Sequence, residues 1–147
     1  MLNNHQKNIA TFIHLSTFLR FFIPLGNLIG PIILWGINKD KSEFIDYHGK
    51  QAINFQISIL LYSLIIGIIT LPFFVFKFLG GIDFMGFQGF RFDIDIDTIS
   101  PLLCFTGFVG FLGVIAFLIE LAFIIRASFK ARDGVLYQYP LTINFIK

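Results

Sequence analysis

The sequence predicts an all-α fold, a polytopic helical bundle in a membrane built from three to four helices. Of its 147 residues, 56% are hydrophobic and only 14% charged, and the mean hydropathy is +0.80. A water-soluble domain carries roughly a quarter of its residues as charges, so much of this surface must meet lipid. Two runs, 53–76 and 101–125, are each long enough for a helix to cross a hydrocarbon core of ~30 Å, which takes ~20 apolar residues. The 21 phenylalanines against 5 prolines exclude a disordered chain, which would lack apolar surface to bury.

Taken in order, the first apolar stretch covers 9–37. As one helix it would measure ~43 Å, more than a crossing needs. It is interrupted by Pro24-Leu25-Gly26-Asn27 and by Gly30-Pro31. Proline removes a backbone donor and clashes with the preceding turn, and freed backbone groups at membrane depth need protein or trapped water. The stretch is therefore either one strongly kinked crossing or two short helices in a hairpin, and the hairpin is preferred. A polar connection over 38–50 leads into the span 53–76. The connection 80–100 is rich in Gly and Phe, and Phe92-Asp93-Ile94-Asp95-Ile96-Asp97 alternates with period two, as an extended segment at a membrane surface would. The span 101–125 contains Glu120, and a tail over 126–147 completes one integral membrane domain, 1–147. Gly134 is placed to end the last helix in a left-handed cap.

Lys39, Lys41 and Lys50 lie in the first connection, and Arg126, Lys130, Arg132 and Lys147 in the tail, whereas the 80–100 connection sets Arg91 against Asp83, Asp93, Asp95 and Asp97. Lys and Arg near span ends stay cytoplasmic. The 38–50 loop and the C-terminus are expected inside and the acidic 80–100 loop outside. The net charge of +2, with its basic residues dispersed, gives no footprint for nucleic acid. No cleaved signal peptide or lipidation signature is expected.

Ionisable groups inside a membrane cost ~3 kcal/mol or more at its centre. Glu120 could serve a proton or cation, but structural pairing is the preferred reading. Arg20, among Phe18, Leu19, Phe21 and Phe22, could pair with Glu120, though snorkelling to an interface is the simpler expectation. His14 reads as a hydrogen-bonded structural histidine. No second His or Cys lies at ligand spacing from it, so no metal site is expected. Tyr47, Gln51, Asn54, Ser58 and Tyr62 recur at three- and four-residue steps and so share one helical face. Such a stripe either bonds a neighbouring helix, at an average of ~0.6 kcal/mol per bond, or lines a wet pathway; helix packing is preferred. Asn27 and Asn54 are candidates to satisfy the carbonyls freed at Pro24 and Pro31. Gly26 and Gly30, and separately Gly107, Gly110 and Gly113, have the small-residue spacing of a helix contact.

Cys104 lies in an apolar run without the basic, partly exposed setting of a reactive thiol, and is read as inert packing. Asp93, Asp95 and Asp97 begin like a calcium loop, but Thr98 and Cys104 stand where that loop needs glycine and glutamate. A solvated acidic edge is the plainer reading. No nucleophile–base pair, phosphate loop or dinucleotide fingerprint is found, and no cofactor is implied.

Three blocks carry a resemblance. They are His14-Leu15-Ser16 with Phe22-Ile23-Pro24-Leu25-Gly26-Asn27-Leu28-Ile29-Gly30-Pro31, then Asp46-Tyr47-His48-Gly49-Lys50-Gln51-Ala52-Ile53-Asn54-Phe55-Gln56, and Asp133-Gly134 with Tyr137-Gln138-Tyr139-Pro140-Leu141-Thr142-Ile143. Together they resemble a Tic-twenty-like family of small bacterial membrane proteins of unknown function, similar to a component of chloroplast inner-envelope protein import. The resemblance implies four membrane helices and a bacterial inner (cytoplasmic) membrane location. The expected function is a non-enzymatic accessory or scaffold subunit of a membrane complex, with protein translocation as its setting. Membrane lipid and a membrane-protein partner are the expected contacts. The alternative is a self-assembling channel or transporter that uses Arg20, Glu120 and the stripe.

Overall fold

A computed structural model describes residues 2–80 and 96–147. Four helices follow in order: α1 (Asn4–Leu15), α2 (Gly26–Asn38), α3 (Glu43–Gly80) and α4 (Ile96–Arg132), with short 3₁₀ turns at Ser16–Phe21 and Lys39–Lys41. No strand occurs among the described residues, so the all-α class holds. Two stretches, Glu43–Pro72 and Leu103–Arg132, are long and apolar enough to cross a membrane.

The first apolar segment is two helices, not one kinked crossing. Asn3 caps α1 by accepting from the His5 N–H, and Gln6 returns a bond to the Asn3 N–H. This reciprocal arrangement satisfies donors that a helix start leaves orphaned. At the far end Ser16 and Thr17 turn their hydroxyls onto the carbonyls of Ile13 and His14, and the chain tightens into the 3₁₀ turn. Leu25 then takes a left-handed φ of 58°, which costs a non-glycine residue about 1–2 kcal/mol. That reversal starts α2 at Gly26. A Cβ on Gly26 would overlap the Leu19 carbonyl, and one on Gly30 would come within 2.6 Å of the Ser16 oxygen. Here the small-residue spacing is a true backbone contact. Gly107, Gly110 and Gly113 differ, because nothing lies near the position of an added Cβ.

Helix α3 starts ten residues before the expected span. Ser42 caps it by accepting from the Phe44 N–H, and Glu43 and Asp46 supply negative charge to its first turn, where the helix dipole favours it. The Asp46–Lys50 stretch is therefore helix rather than connection. Helix α4 includes Ile96 and Asp97, so the extended segment expected over 92–97 is helical at its end. The rest of that expectation, with Asp83, Arg91, Asp93 and Asp95, lies outside the described residues. Gly134, at φ +77°, closes α4 as expected. Its N–H bonds the Ala131 carbonyl and the Val135 N–H bonds that of Lys130, the paired bonds of a Schellman cap.

The chain forms two compact units, Met1–Leu61 with Leu118–Lys147, and Tyr62–Phe117. In the first, Ile13, Ile45 and Ala52 form one core cluster, Ala10, Phe44 and Ala131 a second, and Phe55, Ile124, Ala127 and Tyr139 a third. Among its described residues, the second unit exposes most apolar side chains, including Ile68, Ile69, Phe108 and Phe111. Cys104 is exposed there as well, which corrects its reading as a packed thiol.

Candidate functional site: a buried polar layer in the first unit

The segments α1, α2, α3, α4 and the C-terminal tail converge on polar side chains enclosed by apolar ones. His14, Gln56 and Ser58 are fully buried, and Asn54, Gln51 and Glu120 nearly so. The cost of burying such groups is met only by hydrogen bonds, and three sets of bonds supply them.

The first set centres on Glu120. Its Oε1 accepts from Arg20 at 2.6 Å and from Gln56 Nε2 at 3.3 Å, while Gln56 Oε1 accepts from Asn27 at 2.8 Å. Arg20 therefore pairs across helices instead of snorkelling. The carboxylate takes the charge that the 3₁₀ turn would otherwise carry alone among phenylalanines. Structural pairing of Glu120 is what the geometry contains. Asn27 bonds a side chain here rather than a carbonyl freed by proline.

The second set is a row of rings. The Tyr139 hydroxyl stands 2.9 Å from His14 Nδ1, and His14 Nε2 stands 2.8 Å from His48 Nδ1. Two neutral proton arrangements satisfy the row. Burial, then the neighbouring Tyr137 and Glu120, push the Tyr139 hydroxyl well above its ordinary range, so it stays protonated and can donate. His14 has a hydrogen-bonding neighbour at each ring nitrogen. Among the described residues no group of three His, Cys, Asp or Glu side chains lies together. His48 Nε2 is buried without a partner of hydrogen-bonding geometry, although the Val135 backbone lies close enough to act on it.

The third set is the stripe on α3. Gln51 Oε1 accepts from the Tyr139 N–H at 3.3 Å, Ser58 Oγ from the Ile143 N–H at 2.9 Å, and Asn54 bonds both the N–H and the carbonyl of Ile146 at 2.9 Å. Gln51, Asn54 and Ser58 from the middle of the stripe meet the chain's last segment rather than a neighbouring helix. They hold the extended tail, whose backbone has no helical partners of its own. Asn54 is thereby engaged away from the carbonyls near Pro24 and Pro31. Tyr139 anchors the tail, with its ring stacked on Phe55 at 4.1 Å.

Beside this layer, Trp35 Nε1 donates to Asp46 at 2.8 Å, and Asp46 pairs with Lys50 at 2.6 Å. Gly49 lies against the Trp35 side chain, so that an added Cβ would overlap it. The sequence reading did not single out His48, Gln56 or Tyr139 as site residues. All three stand inside the quoted blocks, so the signal was polar residues recurring next to apolar runs.

The profile of the magnetosome magnetite crystal formation protein family (MamF/MmsF) matches residues 5–146. This overturns the Tic-twenty-like resemblance and removes the ground for protein transport. Short blocks in an apolar helical chain do not by themselves fix function. Neither a curated protein nor a solved structure matches the chain. The chain belongs to the magnetosome magnetite crystal formation family.

Proposed function

We propose, on the premise of that membership, that this membrane protein is a non-enzymatic accessory or scaffold subunit of the magnetosome membrane that supports magnetite crystal formation. The observation that carries the reading is the extent of the match, which takes in both stretches able to cross a membrane and the whole buried polar layer. A structural role is further supported by how the polar groups are used. Glu120 is bonded by Arg20 and Gln56, and Gln51, Asn54 and Ser58 by the tail. A channel built on Arg20, Glu120 and the stripe would need these same groups for its pathway. The basic residues support an orientation with the 38–50 loop and the C-terminus facing the cytoplasm and the 80–100 loop facing the opposite side.

The decisive experiment is removal of the protein from a magnetite-forming cell, with crystal size and number read by electron microscopy. Smaller or fewer crystals, restored by the full chain and by Glu120→Gln alike, are expected. Unchanged crystals would reject the role, and failure of Glu120→Gln alone, joined by loss of reconstituted ion flux, would favour the channel. A lone monomer without co-purifying protein in mild detergent would count against a scaffold.

A further inference from the structure

The two helices of the N-terminal hairpin are short. Helix α1 has 12 residues and α2 has 13, about 18 and 20 Å at ~1.5 Å per residue. The 3₁₀ turn adds six residues to the first arm, but the return arm α2 falls well short of a core of ~30 Å, so the hairpin as a pair does not cross it. The hairpin tip is nonetheless wholly apolar: Phe21, Phe22, Ile23 and Leu25 are all exposed, Phe22 at 83%. A charge-free, uncovered tip of this kind belongs in hydrocarbon, since in water it would be an exposed apolar patch.

Two contacts set its depth. At the base Trp35 bonds Asp46, and near the tip Asn27 bonds Gln56. Those α3 partners are ten residues apart, or ~15 Å along the helix. Helix α4 provides an independent ruler. Ala131 packs with Ala10 and Phe44 near the base, while Glu120 meets Arg20 near the tip. That interval of eleven residues is ~16 Å. Both rulers give about half the hydrocarbon thickness.

The base has the opposite character. Lys7 precedes the apolar part of α1, and Lys39 and Lys41 follow α2. Lys39 also stands over Trp35 at 5.2 Å, and Trp is a residue of membrane–water interfaces. Asp40 and Glu43 stand beside these cations, so the base carries both signs of charge and belongs in the polar headgroup layer rather than in hydrocarbon. The Arg20–Glu120 pair fits the same depth, because an arginine near a tip at mid-bilayer would be costly without its carboxylate.

We infer that α1, its 3₁₀ turn and α2 form a re-entrant hairpin that enters one leaflet, stops near the bilayer midplane and returns to the face it came from. Its apolar surface is covered by acyl chains and its base by headgroups. Such a hairpin adds cross-section to one leaflet and none to the other, so it acts as a wedge that favours membrane bulging toward the hairpin's side. This assignment stands on geometry alone and does not depend on the proposed role in crystal formation.

The test uses the full chain carrying Cys104→Ser, reconstituted into vesicles containing anionic phospholipid. Asn4→Cys and Lys41→Cys should both react with a membrane-impermeant maleimide added to the same side. Phe22→Cys should react from neither side, and a fluorophore attached there should be quenched by lipids brominated deep in their acyl chains. Labelling of Asn4→Cys and Lys41→Cys from opposite sides would overturn the proposal, as would aqueous labelling of Phe22→Cys or absence of quenching by brominated lipid. Wild-type protein in vesicles of mixed diameter should be enriched severalfold per membrane area in the smallest. Equal density across sizes would defeat the wedge. The paired change Phe21→Ser with Phe22→Ser should lower that enrichment while the helix content by circular dichroism is retained.

Discussion

The side-chain amide of Asn54 holds the backbone of Ile146 from both sides, donating to its carbonyl and accepting from its N–H, each at 2.9 Å. Asn54→Leu removes both bonds and leaves two backbone groups of the tail without partners, an expected loss of about 1–3 kcal/mol. Amide exchange at Ile143 and Ile146 should accelerate and carboxypeptidase should digest the tail sooner. Unchanged protection of Ile146 in Asn54→Leu would show that the clasp does not hold the tail.

Arg20 and Glu120 should behave as a coupled pair. Glu120→Leu leaves the guanidinium without its carboxylate. The loss should approach the ~3–5 kcal/mol of a broken buried pair, because the 27% of the Arg20 side chain left exposed faces hydrocarbon rather than water at that depth. The double change Arg20→Leu with Glu120→Leu should recover part of that loss. A double-mutant cycle of thermal unfolding in detergent measures the coupling, and strict additivity would contradict the pairing.

Glycines should separate by environment. Gly49→Ala drives a methyl into Trp35 and should destabilise by about 1–3 kcal/mol. The emission of that single tryptophan should shift with it. Gly110→Ala meets open space and should be neutral or gain up to ~1 kcal/mol through helix propensity. Equal effects at the two positions would mean that the close approach at Gly49 is not real.

Tyr139→Phe keeps the stack on Phe55 but strips His14 Nδ1 of its partner, for an expected loss of about 1–3 kcal/mol. A pH dependence accompanies it. Because the folded state raises this hydroxyl above the ordinary value of 10.0, its contribution is fully present below about pH 10 and is lost as pH climbs toward the raised value. Wild-type stability should therefore fall more steeply above pH 10 than that of Tyr139→Phe. Parallel denaturation curves in alkali would count against burial of the hydroxyl.

Much of the fold was legible because membrane helices announce themselves by run length and lack of charge. The interruption at Pro24 to Pro31 marked the hairpin, and Gly134 marked the end of α4. The missed start of α3 has a local cause: Asp46 to Lys50 is polar enough to read as a connection, yet its charges sit at a helix start where the dipole favours acids, and Asp46 and Lys50 pair one turn apart. The family resemblance failed for a different reason. It rested on the sites of polar and small residues in an apolar chain, which report packing before they report function.

Composition and periodicity were enough to commit this chain to helices in lipid, because too few charges exist to cover its surface in water, and a helix satisfies its own backbone wherever it lies. They also placed Gln51, Asn54 and Ser58 on one face. Which partner that face would hold was decided by contacts between residues 85 to 92 positions apart; the pairing of Arg20 with Glu120 and the ring row of Tyr139, His14 and His48 likewise join segments 34 to 125 positions apart. A helical period records which side chains point together. The group that will meet them depends on how distant segments close around one another to leave as few buried polar atoms unbonded as possible.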